Sequence, residues 1–115
     1  MKEKMRKYST GAIRGDSSEK LDYEGFLSPL AIEAYAKYMH EHRIQADGKL
    51  RSSDNWQNGI PLNDYMKSTW RHFMDIWKEH RGISTRDGMM VALCGVLFNT
   101  MGYLHEYLQD GSWEE

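Results

Sequence analysis

Cysteine, proline and long apolar runs are all scarce in this chain of 115 residues. The single cysteine, Cys94, cannot form an intrachain disulfide, which agrees with a reducing compartment, and its apolar surroundings read as those of a small core side chain. The longest apolar run, Val91 to Phe98, falls short of the roughly 20 residues a bilayer requires, so no membrane span is expected. Nor is a secretory signal expected, because the basic start Met1-Lys2-Glu3-Lys4-Met5-Arg6-Lys7 runs into polar Tyr8-Ser9-Thr10. A cytoplasmic location follows as the expectation. Excess charge is missing too: 15 bases against 17 acids leave a net charge of −2, which argues against a duplex nucleic-acid partner. Internal repeats, a phosphate-binding glycine loop and a serine-histidine-acid signature are absent as well.

What is present divides one expected domain into an arm and a helical core. Residues 1–27 carry Gly11, Gly15 and Gly25 among polar residues and read as an irregular arm. Ser28-Pro29 opens a first helix, with Leu30, Ile32, Tyr35, Ala36 and Met39 at helical spacing to about Arg43. From Ile44 to Ile60 the periodicity fails, and a connection that long is often functional. Bases cluster there, at Arg43, Lys49 and Arg51, as they do at Lys2 to Lys7, which leaves room for a small phosphate ligand. A second helix is predicted from Pro61 or Leu62 to Arg81, stopped by Gly82. Met66, Trp70, Phe73, Trp77 and His80 form its apolar stripe, while Asp64, Ser68, Arg71, His72, Asp75 and Glu79 share the other side as a solvated face.

The third helix, predicted from a cap at Asp87 to about Gln109 before Gly111, has an apolar arc covering more than half its circumference. A three-helix monomer cannot easily bury that much, so an all-α oligomeric bundle, a dimer or larger, is expected through this helix. Its remaining strip holds Gly88, Ala92, Gly95, Asn99, Gly102, Glu106 and Asp110. Glycine inside a helix costs about 1 kcal/mol relative to alanine, so Gly95 and Gly102 imply a close approach to the backbone. Either another helix packs tightly there, or the glycines floor a cavity into which Asn99 and Glu106 project. In the second case Arg71, Asp75 and Glu79 join them if the second helix lays its polar face alongside.

Such a cavity has suitable chemistry for a nucleotide with its metal. Arginine forks onto phosphate, carboxylates hold a hydrated Mg²⁺, and asparagine or tryptophan reads or stacks on a base. His72 with Asp75 has no third ligand at a recognised zinc spacing. Trp56, beside Asn55 in the long connection, suits base stacking and equally suits anchoring the loop to the core, while Asn55 also suits a turn.

A set of motifs in order resembles a known group. Thr10-Gly11-Ala12-Ile13-Arg14, Lys20, Leu27-Ser28-Pro29, Asn55-Trp56-Gln57-Asn58-Gly59-Ile60-Pro61 and Arg71-His72 look like the phage-encoded dATP/dGTP diphosphohydrolase-like proteins, over residues 8–109. The Asn-Trp-x-x-Gly-Ile-Pro element with Arg-His ten residues on is the specific part. The resemblance implies a mainly helical, oligomeric protein that handles purine deoxynucleotides in the cytoplasm of an infected bacterium, with cleavage between the α and β phosphates. One departure stands out. Much of that family is similar to a Gly-Glu-Asp-x-Asp pattern after the Arg-His helix, followed by two histidines in the last helix. Here the stretch reads His80-Arg81-Gly82-Ile83-Ser84-Thr85-Arg86-Asp87, so a dense two-metal acidic cluster is missing.

Three functions compete on these grounds. As a pyrophosphohydrolase, the protein would use Asp75, Glu79 and Glu106 to hold Mg²⁺ and orient water, with Arg71 and Arg81 against the phosphates. As a binding protein without turnover, it would sequester a nucleotide such as a cyclic or ADP-ribose-derived signal of anti-phage defence. As a structural helical oligomer, it would leave its polar strip merely solvated. For the two nucleotide readings the expected binding residues are Arg14, Asn55, Trp56, Arg71, His72, Arg81 and Asn99.

Overall fold

The computed structural model describes residues 4–16 and 18–110; the first three residues of the basic start and Gly111, the expected stop of the last helix, lie outside that range. It is mostly helical, 58% helix, with a small two-stranded sheet. The arm is more regular than expected. Strands β1 (Met5–Lys7) and β2 (Ile13–Gly15) pair antiparallel with Arg6 opposite Arg14, and a short helix α1 (Tyr23–Phe26) follows, its first turn capped by the Asp22 carboxylate. Strands of three residues carry no readable period, so local turn chemistry around Gly11 decides this hairpin.

Helix α2 (Pro29–Glu41) begins where Ser28 accepts from the Ala31 amide at 3.1 Å, with Pro29 in the first turn. Helix α3 (Leu62–His80) ends where Gly82, at φ +81°, lets the Ile83 amide reach back to Lys78 O at 2.8 Å and the Gly82 amide to Glu79 O at 3.0 Å. Helix α4 (Gly88–Gln109) starts at the expected place by another device. Asp87 makes no capping bond and pairs instead with Arg86; Thr85 Oγ1 accepts from the Gly88 amide at 3.2 Å.

Helices α3 and α4 form an antiparallel hairpin, with α2 laid against α4. Two glycines set the hairpin's spacing. A Cβ at Gly95 would come within 2.6 Å of the His72 ring, and one at Gly102 would run into the Tyr65 ring. The small strip of α4 is therefore a packing seam, filled by α3, and not the floor of a cavity. It is the polar side of α3 that enters the seam: Ser68, His72, Asp75 and Glu79 are half-buried there, whereas Arg71 and Asp64 remain exposed. The expectation of a fully solvated polar face is corrected accordingly. Conversely, the apolar stripe of α3 faces outward, with Trp70 63% and Trp77 50% exposed.

Little is left inside. Among the described residues the buried side chains are Tyr65, Ala92, Cys94 and Asn99. Cys94 is 4% exposed, and burial pushes its thiol up, the behaviour of a packed side chain. The radius of gyration is 19.5 Å, against about 13 Å for a compact chain of this size. Helix α4, with 22 residues, is long and apolar enough by length and composition to cross a bilayer, so the argument from the short run Val91–Phe98 does not stand by itself.

Candidate functional site

A cavity of about 460 Å³ lies between the C-terminal half of α2, the connection from α2 to α3, and Phe98 of α4. The connection is ordered by its own hydrogen bonds. Ile44 and Leu50 form an antiparallel bridge, the Gln45 amide donates to Lys49 O at 2.8 Å, and Gly48 at φ +82° closes the turn. That turn brings two arginines together. Arg43 Nε donates to Arg51 O at 2.7 Å, and Arg51 Nη2 donates to His42 O. One such bond fixes a guanidinium beside the cavity and leaves most of its five N–H donors for a ligand.

Beyond Arg51 the chain makes a 3₁₀ turn over Asn55–Asn58, introduced by Ser52 Oγ donating to the Asp54 carboxylate and by the Asn55 amide donating to Ser52 O at 3.1 Å. This turn presents Asn55 and Trp56 to the cavity. Trp56 is half-buried, its ring edge-on to His105 of α4 at 4.8 Å between centroids, so it anchors the loop while also forming the wall. Tyr38 and His42 complete that side, their rings 4.1 Å apart, and the His42 Nδ1 lies 2.8 Å from Tyr38 O. Burial, followed by the nearby Cys94 and Asp87, pushes the Tyr38 hydroxyl up from its usual 10.0, so it stays protonated at neutral pH. The lining contains Arg43, Arg51, His40 and His42 and no carboxylate.

Of the residues expected from the sequence, Asn55 and Trp56 line this cavity and the others do not. Arg14 is exposed on β2 and Arg71 on α3. Arg81 lies 5.9 Å from the centroid of the Trp77 ring. His72 packs on Gly95. Asn99, 5% exposed, donates from Nδ2 to Gly95 O at 2.7 Å and so satisfies its own helix. Glu79 accepts from both the amide and the hydroxyl of Thr85 at 2.7 Å, which holds its carboxyl below the usual 4.5.

Asp75, Glu79 and Glu106 do not converge. The Tyr65–Gly102 and His72–Gly95 contacts fix the register, which sets Glu106 beside the start of α3 and Asp75 near Ala92. At 1.5 Å per residue the two carboxylates are about 20 Å apart along the hairpin. No group of three or more metal-binding side chains occurs among the described residues. The three acids therefore do not fit a single Mg²⁺ within one chain. Arg43 and Arg51 belong to the basic cluster read from the sequence as room for a phosphate ligand but were not among the expected binding residues, and His40 and His42 were not read at all. Compared with family models, with curated proteins and with solved structures, the chain matches none.

Proposed function

We propose that this protein binds a purine nucleotide in the cavity between α2, the α2–α3 connection and α4, and that it retains the nucleotide without turning it over. The observation that carries the reading is the cavity wall itself: Arg43 and Arg51 with no carboxylate among the lining residues, next to Asn55 and the Trp56 ring. Guanidinium forks suit phosphate oxygens, an indole suits a base, and the volume is in the range of ordinary small-molecule sites. The resemblance to dATP/dGTP diphosphohydrolase-like proteins supports a purine deoxynucleotide as one ligand to try. A cyclic or ADP-ribose-derived defence signal is the other class, and its capture would make the protein an anti-defence factor. Hydrolysis between the α and β phosphates has only the resemblance behind it, because the carboxylates assigned to Mg²⁺ lie apart.

Incubating the purified protein with a panel of deoxynucleotides, cyclic nucleotides and ADP-ribose derivatives, with and without Mg²⁺, tests the reading. Intact ligand recovered only after denaturation is the expected result, and it should disappear in an Arg43→Ala, Arg51→Ala double variant. Release of a monophosphate and pyrophosphate would show hydrolysis instead. Failure of every panel member to bind would overturn the proposal and favour a structural role.

A further inference from the structure

We infer, resting on the nucleotide reading above, that the cavity takes the phosphate of its ligand stripped of Mg²⁺, with Arg43 and Arg51 in the metal's place, so that Mg²⁺ competes with the protein. The Arg51 amide donates to Arg43 O at 2.7 Å, one position beyond the Ile44–Leu50 bridge, so the two arginines stand directly opposite one another. Opposed side chains of an antiparallel pair share a face, and here both line the cavity. Like charges in that position repel, and no carboxylate in the lining offsets them.

Both guanidiniums are also held in place. Arg43 uses Nε on Arg51 O, and Arg51 uses one Nη2 proton on His42 O, which leaves each with most of its donors and a free two-pronged edge. One such edge takes two oxygens. Two edges suit the three free oxygens of a terminal phosphate, or the oxygens of adjacent phosphates, whereas an isolated phosphodiester offers a single pair. Mg²⁺ does not fit the same wall. On a polyphosphate it occupies those oxygens, keeps several waters and draws one or two carboxylates from the protein. The acids of the connection, Asp47 and Asp54, are not among the lining residues; they accept from the Lys49 amide and the Ser52 hydroxyl. His40 and His42 offer nitrogen, where Mg²⁺ prefers oxygen.

Calorimetric titration of dATP and of inorganic tripolyphosphate into the full chain, once with EDTA and once with excess Mg²⁺, tests the inference. Both probes should bind in EDTA, and excess Mg²⁺ should weaken each at least about tenfold, the loss of one charge-assisted contact. Arg51→Lys keeps the charge and loses the fork. It should bind tripolyphosphate several-fold more weakly in EDTA while keeping the circular dichroism of the parent. Binding of dATP that requires Mg²⁺, or that is as tight with it as without, would overturn the inference and leave the nucleotide reading standing. Tripolyphosphate that binds in EDTA and is displaced by Mg²⁺, with no purine nucleotide bound, would support the inference and remove the nucleotide reading. Neither probe binding in EDTA, or an Arg51→Lys chain that binds as the parent does, would overturn the inference.

Discussion

The Tyr65 ring occupies the space that a side chain at Gly102 would need, and this contact, one turn into α3 and two turns before the end of α4, sets how closely α3 and α4 approach. Tyr65 is 1% exposed and has no room to swing aside. Gly102→Ala should therefore destabilise the protein, although alanine is the better helix former. Overpacking costs about 1 to 3 kcal/mol, against about 1 kcal/mol gained in propensity. A lower denaturation midpoint at fixed protein concentration is the expected reading, and a higher midpoint would mean that the seam is loose.

The hydroxyl of the same tyrosine is buried without a hydrogen-bond partner. Removing it should relieve a desolvation cost, so Tyr65→Phe should leave stability unchanged or raise it by about 1 kcal/mol. Burial, and secondarily Glu106, holds this hydroxyl neutral above its usual 10.0. The unfolded tyrosine thus ionises first as pH rises past 10.0, which lowers stability there, and the phenylalanine variant should lose part of that alkaline decline. Denaturation at pH 7 and above pH 10 checks both statements.

Glu79 supplies the acid-side counterpart. Its bonds to Thr85 depress its carboxyl in the folded state, so the stabilisation is present above pH 4.5 and is lost as pH falls through the lower folded value. Thr85→Ala removes the hydroxyl bond to Glu79 and also the acceptor for the Gly88 amide. The variant should be less stable at neutral pH, and the difference from the parent should narrow as the pH drops below 4.5. A difference independent of pH would assign Thr85 to the start of α4 alone.

Trp56 contacts His105 and lines the cavity, so the proposed site gives it two duties that substitutions can separate. Trp56→Phe keeps an aromatic edge for His105 and should preserve stability while weakening nucleotide affinity several-fold. Trp56→Ala should lower both, because the loop loses its anchor as well as the stacking surface. Calorimetric titration beside thermal denaturation reads the two effects. Equal loss of affinity in both variants with unchanged stability would remove the anchoring role.

Helices α2, α3 and α4 were legible because an apolar period of 3.6 survives in each, and Ser28-Pro29 and Gly82 punctuate them by chemistry that depends on few neighbours, whereas the four residues of α1 are too few to show a period. The start of α4 was placed correctly at the wrong cap, since Asp87 and Thr85 both qualify by residue type and only the observed bond decides between them. What the pattern could not say is which face of α3 its own chain covers. Two glycines on α4 admit Tyr65 and His72, so the polar side is drawn inward and the tryptophans are left out. The cavity was half legible. Asn55 and Trp56 stood out by motif, while Arg43 and Arg51 are joined by a turn at Gly48 and the Ile44–Leu50 bridge, which spacing alone does not reveal.

Parallel titrations of dATP into the parent chain, Arg51→Ala and Arg71→Ala test the central claim most directly. Arg51 lines the cavity and Arg71 stands exposed on α3. With the site in the cavity, Arg51→Ala should weaken binding at least about tenfold, the loss of one charge-assisted phosphate contact, while Arg71→Ala should bind as the parent does. Unimpaired binding by Arg51→Ala together with loss in Arg71→Ala would contradict the account and move the nucleotide to the outer side of the α3–α4 hairpin.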